Sequence, residues 1–183
     1  MLPPVQLPLV AAIVVALAFA AASAQTQRGS RVAPDARDIP AFRISELHLT
    51  GLERVGQALA REYRPAPEKP RADAAMFTVL SMSLAYNQPF SDRTVVDTVR
   101  TIESGHPDLH AAIRAAGVTT TDYVLTQITL LLAAPVVASE KAGRPIKAPA
   151  TDTAIENVEF VRRRWPVVEA ILKDLGNAAG RSR

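Results

Sequence analysis

Residues 119–141 read TTTDYVLTQITLLLAAPVVASEK, and this stretch decides the fold. From Val124 to Ala138 it is the most apolar part of the chain beyond the N-terminus. A helix apolar over most of its circumference has to be covered on every side, so it belongs at the centre of a helical bundle. Thr126, Gln127 and Thr129 interrupt the apolar run. That leaves it short of the roughly 20 apolar residues a membrane span needs. The run of threonines from Thr119 to Thr121 offers an N-cap, and Asp122 sits favourably against the N-terminal dipole. Pro135 should kink the helix.

Working outward, Gly117 reads as a left-handed cap on the preceding helix, with Val118 as its hydrophobic partner. That helix starts at Pro107, and its inward positions are Leu109, Ala112, Ile113 and Ala116. Ahead of it, Ser91 caps a helix over about 92–104 lined by Val95, Val99 and Ile102, which Gly105 ends. A helix over about 72–87 carries Met76, Phe77, Leu80 and Leu84 on one face and stops at Pro89. The first helix, with Leu52, Val55, Leu59 and Tyr63, begins either at 46 behind Ser45 or at 51 behind a Thr50–Glu53 capping box. Downstream, Gly143, Pro145 and Pro149 mark a loop. A last helix over about 153–175 follows, in which Pro166 forces a kink or a restart. Gly176 reads as its stop, with 177–183 a disordered tail. No segment alternates as a strand would. The expected fold is an all-α, single-domain bundle of five or six helices over 41–176, with the central apolar helix near 120–141.

The N-terminus speaks to location. Leu7 to Ala22 is apolar apart from Pro8, and Ala22-Ser23-Ala24 is a small-residue cleavage site before Gln25, so residues 1–24 read as a signal peptide. Residues 1–24 contain no Lys or Arg, which leaves an uncleaved membrane helix as the alternative. Residues 25–40 are polar and Arg-rich and read as a flexible leader. The chain has no cysteine and no Asn-x-Ser/Thr sequon. In a compartment that permits disulfides, this favours a bacterial periplasmic or secreted protein. A net charge of +3 from 21 basic and 18 acidic residues makes no nucleic-acid footprint.

Few residues suggest chemistry. His106 and His110 are four apart beside Glu103 and Asp108, a conceivable metal pair. Pro107 puts a helix start between them, however, and the alternative is an exposed turn. Arg162, Arg163 and Arg164 could grip an acidic partner, a phosphate or a lipid headgroup. Successive helical residues fan out by about 100° each, so a merely solvated face is the competing reading. Tyr86 with Asn87, and Asp122 with Tyr123, lie at helix ends where they could line a cleft or serve as caps and core-edge tyrosines. There is no thiol nucleophile, haem-attachment motif, phosphate-cradling glycine loop or Gly-x-Ser-x-Gly elbow, hence no cofactor or catalytic assignment.

The stretch Ala116-Gly117-Val118-Thr119-Thr120-Thr121-Asp122-Tyr123-Val124-Leu125-Thr126, followed later by Glu156-Asn157-Val158-Glu159-Phe160-Val161, resembles uncharacterised small exported all-helical bacterial proteins. The resemblance covers the C-terminal half and implies a helical exported domain without transferable catalytic residues. Arg164-Trp165-Pro166 departs from it, standing where an unbroken polar helix would run. The Leu-Thr-x-x-Gln motif of helical periplasmic stress chaperones is not completed at Leu49-Thr50 or at Leu125-Thr126.

The expected function is therefore non-catalytic: an exported helical domain binding a partner protein or an apolar small ligand between helices, near Pro135 if a cavity exists. A membrane-tethered envelope protein and a metal-dependent enzyme through His106 and His110 are the alternatives.

Overall fold

The computed structural model describes residues 42–63, 71–85, 90–144, 146 and 151–180. The signal segment, the 25–40 leader, Tyr86 and Asn87 lie outside the described residues. The described chain is all-α: seven helices and no strand. They are α1 (Glu46–Glu62), α2 (Ala72–Ala85), α3 (Asp92–Gly105), α4 (Pro107–Ala115), α5 (Thr120–Lys141), α6 (Asp152–Arg163) and α7 (Trp165–Gly180).

Local chemistry sets most boundaries. Ser45 wins the start of α1: its backbone N–H donates to His48 Nδ1 at 3.1 Å, and its Oγ lies 3.1 Å from the same nitrogen. A histidine thus fills the place where a capping box usually has Glu or Gln. The Phe42 ring rests against that imidazole, with centroids 4.8 Å apart. Ser91 accepts from Thr94 N–H at 3.3 Å, Thr119 from Asp122 N–H at 3.0 Å and Thr151 from Ala154 N–H at 3.3 Å, each satisfying an orphan amide of its helix. Gly117 adopts φ +82° after α4, the left-handed cap its position implied.

Around α5 the other elements close. It touches all six other helices, and most of its 22 residues are buried. Among the described residues it is the helix long and apolar enough to cross a membrane, yet 72% of its most apolar window is covered by the rest of the chain. The helix runs unbroken through Pro135. Proline there leaves the carbonyl of the residue four positions earlier without its usual N–H partner.

At the C-terminal end the restart allowed at Pro166 is what occurs, and the helix count and the stop are corrected. The last helix is two helices, parted at Arg164 (φ −103°, ψ 17°), and Trp165 begins the second. Proline is well suited to a first helical turn, so Pro166 restarts the helix. This split makes seven helices where six segments are read from the pattern. The helix also does not stop at Gly176; it continues to Gly180, and residues 181–183 lie outside the described residues. Ala178 is buried in the core, so the segment after Gly176 has apolar surface to cover.

Two contacts fix how the N-terminal part meets the rest. Asn157 on α6 accepts from Ile44 N–H at 3.0 Å through Oδ1 and donates from Nδ2 to the Phe42 carbonyl at 2.9 Å. One buried amide thereby satisfies the extended backbone before α1 as a neighbouring strand would. Gly51, inside α1, meets Val118: a Cβ there would lie 2.6 Å from Val118 Cγ1. Gly51→Ala gains about 1 kcal/mol of helix propensity. Overpacking against a stiff β-branched side chain costs about 1–3 kcal/mol, so a net destabilisation of about 1 kcal/mol is expected in thermal melts. In a Val118→Ala background the same change should stabilise; a stabilising Gly51→Ala in the wild-type chain would show that the contact does not matter.

Candidate functional site

Gly56 and Ala60 lie one helical turn apart on α1, opposite Ala170 on α7, and such small side chains cannot fill the space between two helices. The result is a recess of about 190 Å³ between α1 and α7. Leu52, Ile171 and Leu175 supply its apolar walls, and Tyr123 of α5 lines it from the core. Glu53, Asp73 and Asp174 bring three carboxylates to it.

Beside the recess a buried guanidinium joins α2 to α7. Arg71 Nε and Nη2 donate to Asp73 Oδ1 at 3.1 Å and Oδ2 at 2.6 Å. Its Nη1 and Nη2 donate to Asp174 Oδ1 at 3.2 Å and Oδ2 at 2.7 Å. Asp73 Oδ1 also accepts from Ala74 N–H at 2.9 Å. Burial opposes the charge on Arg71, but its bonds to Asp73 and Asp174 outweigh that and hold the guanidinium above its ordinary range. The ion pair lies against α1 at Gly56, where a Cβ would stand 3.4 Å from Asp174 Oδ2, an ordinary contact.

Deeper in, Tyr123 is 2% exposed and its hydroxyl accepts from Gln127 Nε2 at 2.9 Å. Burial pushes the phenol well above its usual range; the Asp73 charge adds to this and Arg71 opposes it. The hydroxyl therefore feels the ion pair that borders the recess. Gln127 Oε1 is buried with no hydrogen-bond partner, the one such side-chain atom among the described residues.

The sequence-read candidates fall elsewhere. His106 is the residue between α3 and α4, and its carbonyl accepts from His110 N–H at 2.9 Å. No group of three or more His, Cys, Asp or Glu that could hold a metal ion forms among the described residues, so no third ligand joins His106 and His110. The arginine triplet fans out. Arg162 makes a bidentate pair with Glu140 (2.9 and 3.0 Å) and reaches Glu159 at 2.6 Å. Arg164 pairs with Glu46 at 3.1 Å, and Arg163 is exposed with no ion pair among the described residues. Asp122 is a cap partner of Thr119, whereas Tyr123 is at once core and recess lining. Sequence reading missed Gly56, Arg71, Asp73 and Asp174. The pairing of Arg71 with Asp174 spans 103 residues, which no local pattern encodes.

A second polar link closes the other end of α1. The Tyr63 hydroxyl donates to Asp108 Oδ2, and this bond is the main cause that lifts Tyr63 to about 12. Partial burial pushes Asp108 up, but the bond from Tyr63, the N–H groups of Leu109 and Asp108, and the nearby His106 together hold it below the usual carboxylate range.

Comparison with protein-family models, with curated proteins and with solved structures gives no match to this chain.

Three substitutions test these links. Arg71→Met strands Asp73 in the interior and should cost about 3–5 kcal/mol in denaturant unfolding, since breaking a buried pair leaves an uncompensated charge. Asp174→Asn, at a side chain 52% exposed, should cost about 1 kcal/mol or less. For Tyr63–Asp108, the Asp108 contribution is complete above its unfolded value of 3.8 and fades as pH falls through the lower folded value. The Tyr63 contribution is complete below 10.0 and fades as pH rises through about 12. The stability advantage of the wild type over Tyr63→Phe should therefore be flat, at about 1 kcal/mol, across neutral pH and shrink at both extremes. A pH-independent difference in melting temperature would contradict it.

Proposed function

We propose that this chain is an exported, non-catalytic helical domain that binds a small, largely apolar ligand in the recess between α1 and α7. The observation that carries the reading is the recess itself: about 190 Å³, walled by Leu52, Ile171 and Leu175. An engineered apolar cavity of about 150 Å³ holds benzene, so a space of this size accepts a compact ring or short chain. The recess lies at Tyr123, near the start of α5, and not at Pro135 as the sequence suggested. The Ala22-Ser23-Ala24 cleavage pattern supports export, with the basic residues Arg28, Arg31 and Arg37 following it. Membrane contact, on this reading, is confined to the N-terminus.

One observation favours a partner protein instead. Val79 and Met82 lie three apart on α2 and are 54% and 51% exposed, while Phe77 and Leu80 of the same helix are buried. Apolar residues on both faces of a helix are the mark of an element covered on both sides.

A native mass spectrum of the protein recovered from its own cells tests both parts of the proposal. A mass beginning at Gln25 with a discrete small-molecule adduct supports it; a chain retaining residues 1–24 overturns export. In solution, benzyl alcohol should shift the amide resonances of Ile171 and Leu175, and Ala170→Trp at the exposed rim should abolish that response. An unchanged response in Ala170→Trp would remove the recess from consideration and leave the α2 face.

A further inference from the structure

We infer that the ligand of this recess is a compact monocation, an apolar body between α1 and α7 bearing a primary ammonium directed at Glu53. The inference rests on the ligand-binding reading above and names its chemical class.

Two features set the character of the ligand, one its charge and the other its shape. The first is the electrostatic balance. Three carboxylates line the recess, and the guanidinium beside it, Arg71, donates four hydrogen bonds to two of them. Both oxygens of Asp73 and both of Asp174 accept from Arg71. Glu53 is half-buried at the recess and has no ion pair among the described residues. A carboxylate partly removed from water beside apolar walls gains most from a cation that shares its setting. The second is shape. The walls that Leu52, Ile171 and Leu175 provide suit an uncharged body, and about 190 Å³ leaves room for little more than a ring or a short chain beside the charged head. An anion would meet the net negative lining, and a neutral apolar compound would leave Glu53 as it is.

Benzylamine and benzyl alcohol, which match in shape and differ in charge, test this by NMR titration of the purified protein at neutral pH, with benzoate as the anionic control. The expected result is benzylamine binding at least tenfold tighter than benzyl alcohol, with benzoate not bound. Glu53→Gln should collapse the ratio to about one, and a melting temperature close to that of the wild type shows that the variant keeps its fold. Equal affinities in the wild type overturn the cation assignment and leave the apolar recess standing, as does a benzylamine preference that survives Glu53→Gln. Absence of any response at Ile171 and Leu175 to either compound overturns the recess reading and this inference together.

Discussion

Burial of α5 on all sides is the constraint from which the rest of the structure follows. Its apolar residues occupy every face, so no single partner helix can cover it. Each of the other six helices gives a face to that task, and α2 also carries Val79 and Met82 exposed on its outer side. The close contacts between the surrounding helices are consequences of this shared centre. Gly51 lets α1 approach Val118 at the start of α5, and Arg162 locks α6 to Glu140 at its end. The chain needs neither disulfide nor metal for this, since a domain of its length can bury roughly 68–70% of its unfolded surface.

An all-enclosed helix leaves little freedom for polar groups, and where they do enter the interior the chain matches them closely. Asn157 serves the backbone of Phe42 and Ile44, and Arg71 binds two carboxylates through both edges of its guanidinium. Such pairs contribute modestly as pairs but penalise heavily any arrangement that separates them. They therefore specify which helix lies against which. The recess that small residues on α1 and α7 open toward α5 and the carboxylate of Glu53 fall in one part of the molecule, and the binding proposal rests on that coincidence.

Stability and function draw on the same residues here. The Arg71–Asp174 pair that fastens α7 also forms one border of the recess, and Tyr123 is both a core side chain and part of its lining. A ligand seated there would contact elements from the start, middle and end of the described chain, so binding and global folding should be thermodynamically linked.

Local, repeating features of this protein were legible in its sequence. The 3–4 spacing of apolar residues, Ser91, Thr119 and Thr151 as caps, and Gly117 as a left-handed stop each depend on neighbours within a turn or two, and the elements form where those patterns place them. The enclosed position of α5 was legible for the same reason, because a helix without a polar face has nowhere else to go. Sequence did not decide between Ser45 and Thr50, since both offer a hydroxyl and the choice turned on Phe42 and His48 packing together. It placed the C-terminal stop too early, at Gly176, because the apolar surface that carries α7 to Gly180 belongs to other helices. The recess, the Arg71–Asp73–Asp174 cluster and the orphaned carbonyl of Gln127 arose only when α1, α2, α5 and α7 were brought together. Charge pairing and empty volume are properties of distances across the chain, and only tertiary packing sets those distances.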